Sequence, residues 1–124
     1  MLQSGGRRMA KRTFKVVLIK PSHYDRDGYV IQWVRSSIPS NSLASVYGLL
    51  AECGEERVLG PDVDIEIESF DECNTIVDIA GAIRGIKAAG AGFLGLVGVQ
   101  SNQFPRALDI ARQFRAAGVD VVIG

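Results

Sequence analysis

The stretch 92–105 constrains the fold more than any other part of this chain. It begins with an apolar run over 92–99, which is typical of a parallel strand covered on both faces. It then becomes polar over 100–103, and Pro105 suits the first turn of a helix. A buried strand, an amide-rich turn and a helix start predict an open α/β sheet with a ligand site at its carboxyl edge.

Hydrophobic patterns elsewhere predict strands and helices in alternation. Runs at 14–19 and 119–124 indicate the first and fourth strands, and strict alternation over 62–68 indicates a half-exposed edge strand. Three apolar stripes predict helices, each ending at a glycine (Gly54, Gly90 or Gly118). The stripes are Leu43, Val46, Tyr47 and Leu50; then Ile76, Ile79, Ala80, Ile83 and Ile86; then Phe104, Ala107, Leu108, Ala111 and Phe114.

The resulting order is β, long loop, α, β, α, β, α, β. Right-handed crossovers convert this order into a doubly wound, Rossmann-like parallel sheet of the flavodoxin type. Because the sequence stops on the fourth predicted strand, we expect the domain to be truncated there. Residues 1–12 are predicted to form a flexible basic tail, and residues 13–124 a single α/β domain.

Charge and composition exclude several classes of partner. The net charge is formally zero, but four of the 14 basic residues lie in the tail, so residues 13–124 carry an acidic excess. Such a body is a poor binder of nucleic acid. No run is long enough to cross a membrane, and the start lacks the apolar core of a signal peptide. Two cysteines without close spacing predict reduced thiols in a cytoplasmic protein.

The connection after the first strand spans about twenty residues, far more than the usual βα loop. It is rich in aromatic and charged residues, which predicts an ordered loop rather than a linker. His23, the only histidine, lies at its start, and a metal ligand, a proton carrier and a surface residue all remain open. The loop ends in helix-capping candidates at 39–42.

Two motifs that suggest chemistry favour plainer interpretations. The segment 90–95 has the spacing of a dinucleotide fingerprint, but its glycines end a helix and enter a strand, the reverse of what phosphate binding needs. The acidic residues of the edge strand lie ~6.5–7 Å apart along one face, too far for one small ion. They are Asp62, Asp64, Glu66 and Glu68. No arrangement of serine, histidine and acid indicates a nucleophile.

The amide-rich turn is the stronger candidate site. Its uncharged side chains can hydrogen-bond amides or nucleotide-like groups, whereas a bare anion would more naturally attract arginine or lysine. Ordinary capping of the third helix remains the alternative.

Four segments in this order and spacing resemble the cobalamin-binding domain that precedes the catalytic barrel of radical S-adenosylmethionine enzymes. They are residues 16–21, 39–44, 95–101 and 121–124. The resemblance covers about residues 13–124 and implies that cobalamin lies across the carboxyl edge of the sheet, with its nucleotide tail inserted between strands. The implied cofactor-binding residues are Pro39, Ser40, Asn41, Ser42, Val99, Gln100, Ser101, Asn102, Gln103, Ile123 and Gly124.

Two departures from that family's pattern limit what the resemblance implies. Family members that coordinate cobalt through histidine use Asp-x-His-x-x-Gly, but around His23 the flanking positions are Pro21 and Arg26, which makes a cobalt-ligand role doubtful. The Cys-x-x-x-Cys-x-x-Cys motif of the barrel is also absent. The resemblance therefore implies that a [4Fe-4S] cluster and S-adenosylmethionine belong to a C-terminal radical domain of the full-length enzyme. It implies a methyltransferase as that enzyme, and no catalytic residues in this module.

Two other functions share this topology. A receiver-like signalling or interaction domain needs acids after the first strand and an aspartate after the third, but Lys20, Pro21 and Gln100 occupy those places. A nucleotide- or flavin-binding α/β domain is the other alternative.

Overall fold

The structure, a computed structural model, describes residues 11–32 and 41–124. Strands and helices alternate through this part of the chain: β1 (Arg12–Lys20), α1 (Asn41–Glu55), β2 (Val63–Asp71), α2 (Ile79–Ala89), β3 (Gly92–Leu96), α3 (Phe104–Ala116) and β4 (Asp120–Ile123). All strand pairs are parallel, in the order β2-β1-β3-β4. The predicted doubly wound sheet is confirmed. Residues 1–10 of the predicted tail, and Pro39 and Ser40, lie outside the described residues.

The strand order reverses direction between β1 and β3. From β1 the chain moves outward to β2 and then returns across β1 to β3 and β4. Helix α1 packs on one face of the sheet, against Val16 and Leu18, whereas α2 and α3 pack on the other, against Val17 and Ile19. In such sheets ligands bind outside the carboxyl ends of the strands, at the point of reversal.

The two faces are covered unequally. Between α2, α3 and the sheet, the core contains buried residues from β1, α2, β3 and α3, including Leu94, Ile110 and Phe114. On the other face, α1 has no fully buried residue. Its predicted stripe is correct at Leu43, Val46 and Leu50, which pack on the sheet, but wrong at Tyr47, which is 41% exposed at the edge of the contact.

Three further predicted core positions, Ile76, Ala80 and Phe104, are wrong, and all three lie at helix starts. Ile76 is 82% exposed and precedes α2, which begins at Ile79 with Asp78 as its N-cap. The helical spacing of apolar residues therefore extended into the segment before the helix. Phe104, the first residue of α3, is 47% exposed at the sheet edge. The buried residues on the inward faces instead include Val77, just before α2, Ala82 in α2 and Ile110 in α3. Ala80 is exposed.

Glycines end two of the three helices as predicted. Gly90 caps α2 and Gly118 follows α3, both with left-handed backbone (φ 89° and 82°). The prediction for Gly54 is wrong, because α1 continues to Glu55. The left-handed residue there is Arg57, whose guanidinium lies 2.8 Å from Asp64 of β2. Arg57 thus adopts a backbone conformation that is usually taken by glycine, and its side chain forms an ion pair with the neighbouring strand.

No helix in the two described segments is long and apolar enough to span a bilayer.

Close pairing of β1 with β3 requires glycine at position 92. Gly92 lies opposite Lys15 in the register and has φ 152°. A Cβ added there would lie 1.9 Å from the carbonyl oxygen of Lys15. No side chain can relieve this clash, since the obstructing atom belongs to the backbone of the central strand.

We expect Gly92→Ala to lower the free energy of unfolding by about 2 kcal/mol or more, because strained backbone and a displaced strand both oppose it. Urea denaturation with an unchanged m-value would measure the loss. Gly48→Ala, within α1 where the added methyl meets nothing within 4 Å, is the control and should stabilise by roughly 0.5–1 kcal/mol. Equal effects of the two substitutions would contradict this account.

Candidate functional site

Three of the predicted segments meet at the carboxyl edge of the sheet. A Cβ on Gly98 would lie 3.5 Å from Cβ of Ser42 and 3.8 Å from Cε of Lys20, so the start of α1, the end of β1 and the turn after β3 are neighbours. The amide of Val99 donates to the carbonyl of Gly124 at 3.1 Å, which joins the residue after β4 to the same edge. The predicted site residues of these segments that the structure describes therefore share one rim.

The amide-rich turn divides into a structural residue and exposed ones. Gln103 is buried; its side-chain amide donates to the carbonyl of Pro21 at 3.0 Å, and its Oε1 accepts from the amide of Gln100 at 3.0 Å. Although Gln103 occupies the N-cap position of α3, its side chain makes no capping bond. Gln100, Ser101 and Asn102 are exposed on the rim.

An apolar recess of about 270 Å³ lies beneath the rim, on the α1 face of the sheet. Its walls include Val46 and Leu50 from α1 and Leu18 from β1. Gly124 contributes no side chain, and a Cβ there would meet nothing within 4 Å, whereas the Leu18 side chain already lies over Gly95. The volume falls just below the roughly 300–1,000 Å³ of pockets that enclose a whole ligand, so the recess suits one flat part of a larger molecule.

A second, larger cavity of about 540 Å³ lies at the opposite edge, where α2 and α3 end. Lys87, Gly118 and Asp120 contribute to its lining, and it contains none of the predicted site residues. Open α/β sheets bind ligands at the carboxyl edge, so we assign the candidate site to the rim and the recess rather than to this cavity.

A buried ion pair behind the rim was not predicted from the sequence. Glu72, which follows β2, is 2% exposed, and its carboxylate accepts two hydrogen bonds from Arg106: Nη2 to Oε2 at 2.6 Å and Nε to Oε1 at 3.0 Å. The same Oε1 accepts from the amide of Ser22 at 3.1 Å. These bonds to Glu72 raise the pKa of Arg106. The sequence contained one signal of this pair. Arg106 lies in the first turn of α3, where the helix dipole disfavours a cation, so an acidic partner is expected.

Tyr24 extends this pair into a network that holds the loop after β1. Its hydroxyl donates to Oδ2 of Asp109 in α3 at 2.5 Å and accepts from Arg106 at 3.3 Å. The guanidinium carbon of Arg106 lies 5.8 Å from the centre of the Tyr24 ring. Burial raises the pKa of Tyr24, and the hydrogen bond to Asp109 raises it further.

The part of the loop that the structure describes is ordered, as predicted. The amide of Ile31 donates to the carbonyl of His23 at 2.9 Å, and the amide of Asp25 donates to that of Tyr29 at 2.8 Å, so residues 23–31 form a small hairpin. The hydroxyl of Ser22 donates to the carbonyl of Ile31 and closes its base.

The candidate metal ligands do not cluster within residues 11–32 and 41–124, where no group of three or more His, Cys, Asp or Glu could hold an ion. His23 is half-buried in the hairpin. The acidic face of β2 is paired with the protein's own cations: Lys15 lies 3.4 Å from Glu66 and 3.5 Å from Glu68. This arrangement agrees with a solvated edge strand.

Exposed amides and hydroxyls above an apolar recess can bind a ligand with a flat apolar part and a polar periphery. Comparisons of the chain with models of known protein families, with curated proteins and with solved structures found no match. The rim and the recess are therefore the features that bear on the function of the chain.

We expect Gln103→Ala to destabilise the protein by about 1–3 kcal/mol, because the buried carbonyl of Pro21 and the amide of Gln100 would each lose a partner. Chemical denaturation would measure the change. Asn102→Ala, an exposed neighbour, should stay within about 0.5 kcal/mol of the wild type. A similar loss in both variants would show that Gln103 has no special structural role.

A pH titration should detect the raised pKa of Tyr24. Folding raises its pKa above the ordinary value of 10.0, so the folded protein holds this proton where the unfolded chain has begun to lose it. The resulting stability is complete below about pH 10 and is lost as the pH rises through the folded value. The ultraviolet absorbance of tyrosinate should include a late component that Tyr24→Phe removes and Tyr29→Phe, at an exposed site, retains. A late component that survives in Tyr24→Phe would contradict the assignment.

Proposed function

We propose that this chain is a corrinoid-binding module, which holds cobalamin at the carboxyl edge of its sheet and has no catalytic activity of its own. The observation that carries the proposal is an apolar recess that reaches the rim of exposed amides and hydroxyls at Gly124, whose carbonyl accepts from the amide of Val99. Cobalamin combines a flat heteroaromatic base on its nucleotide tail with a corrin ring that bears amide side chains.

The residues present fit the two parts of such a ligand. The recess between α1 and the sheet would receive the base, since Val46 and Leu50 offer apolar walls and Gly124 adds no side chain to the space. Above it, Ser42 and the exposed turn 100–102 would hydrogen-bond the corrin periphery. Amide groups pair with amide side chains without a charge to desolvate, which suits an uncharged periphery.

We do not assign cobalt coordination to His23. It lies in a hairpin whose backbone is closed by the bonds of Ser22 and Ile31, and Pro21 occupies the place where the histidine-coordinating pattern has aspartate. Bound cobalamin would supply a cobalt centre for methyl transfer. We propose that this chemistry takes place with a radical S-adenosylmethionine domain carrying a [4Fe-4S] cluster in a longer cytoplasmic protein.

Purified protein mixed with hydroxocobalamin should retain its visible absorption through gel filtration. Val46→Phe should weaken binding about tenfold or more, equivalent to about 1.4 kcal/mol, because the added ring would occupy the recess. Leu49→Phe, on the exposed side of the same helix, is the matched control and should bind as the wild type does. Titration followed by absorbance would give all three dissociation constants.

Three outcomes would refute parts of this proposal. No retained absorption in the wild type would reject corrinoid binding, and thermal stabilisation by a nucleotide or flavin instead would identify the ligand class. Equal binding by both phenylalanine variants would reject the recess as the site of the base. A changed visible spectrum in His23→Ala would show that this histidine does coordinate cobalt.

A further inference from the structure

The network behind the rim joins three parts of the chain that are distant in sequence. Glu72 follows β2, Arg106 and Asp109 belong to α3, and Ser22 and Tyr24 belong to the connection after β1. Glu72 binds the backbone of that connection directly, through the amide of Ser22. Asp109 binds one of its side chains, through the hydroxyl of Tyr24. The network therefore acts on the loop rather than on the sheet.

Stability alone is a weak explanation for this arrangement. Burying a carboxylate and a guanidinium costs much of what their attraction returns, and well-packed apolar side chains of similar size often serve as well. An apolar pair could not, however, accept the amide of Ser22 or orient the Tyr24 hydroxyl. What the ionic network adds is a fixed geometry for the loop, since the guanidinium donates along two directions at once.

We propose that Glu72, Arg106 and Tyr24 form a positioning clamp that fixes residues 21–32 in their ligand-ready arrangement before the corrinoid binds. This inference rests on the proposed function. The loop borders the rim, because Gln103 binds both the carbonyl of Pro21 in the loop and the amide of Gln100 on the rim. A loop ordered in advance loses less conformational entropy on binding, so the clamp raises affinity without touching the ligand. Its three members are positioning residues and not contacts of the corrin.

Hydrogen exchange of the ligand-free protein tests whether the clamp fixes the loop. Tyr24→Phe removes only a hydroxyl, and Arg106→Lys keeps the charge but not the two-pronged donor. Both should speed exchange at the hydrogen-bonded amides of Asp25 and Ile31 by about three- to tenfold, the equivalent of one lost hydrogen bond. Amides of β1 should be unchanged, which also shows that the variants fold. Arg115→Lys, at an exposed site of α3 whose guanidinium pairs with Asp120 outside the network, should exchange as the wild type does.

Titration of the same proteins with hydroxocobalamin tests the consequence for affinity. The two clamp variants should bind several-fold more weakly, and Arg115→Lys should bind normally. Wild-type exchange rates in both clamp variants would overturn the clamp, and so would faster exchange with unaltered affinity. If the wild type itself retains no hydroxocobalamin, the proposed function and the ligand part of this inference fail together, whereas the exchange rates still decide whether the clamp fixes the loop.

Discussion

The parallel pairing of β1 with β3 is the contact on which the rest of this structure depends. It runs from Lys15 opposite Gly92 to Ile19 opposite Leu96, and the amide of Val97 continues it by donating to the carbonyl of Ile19. Because the strand order reverses at this pair, the chain leaves both strands at the same edge and then passes to opposite faces. The rim and the recess follow from that reversal, since α1 is the only helix on one face within the described part of the chain.

The same reversal creates buried polar groups that the structure must satisfy. The chain leaving β1 passes under the turn after β3, where the carbonyl of Pro21 and the amide of Ser22 are removed from water. Such groups cost free energy unless they are hydrogen-bonded. Gln103 satisfies the first and Glu72 the second. These two buried side chains stabilise the rim, whereas its exposed amides remain accessible to a ligand.

Much of the fold could be predicted because its signals are local, and what failed depended on distant contacts. The apolar run of β3 and the alternation of β2 specify buried and edge strands by themselves. The burial of Gln103 but not Gln100 could not be read in the same way, because it depends on Pro21, 82 positions away. Glu72 and Arg106 are 34 positions apart and share no motif. The predicted burial of Ile76 was wrong because periodicity does not mark where a helix begins.

Under the proposed function, affinity and geometry are supplied by different parts of the molecule. Covering the apolar recess with a flat ring releases water from both surfaces and supplies affinity with little direction. The rim amides add direction but little net energy, since each exchanges a bond to water for one to the ligand. The clamp then decides how much of the apolar gain survives, because an unordered loop would consume part of it in conformational entropy. Recess and clamp lie on opposite faces of the sheet, so changes to them should act nearly additively on binding.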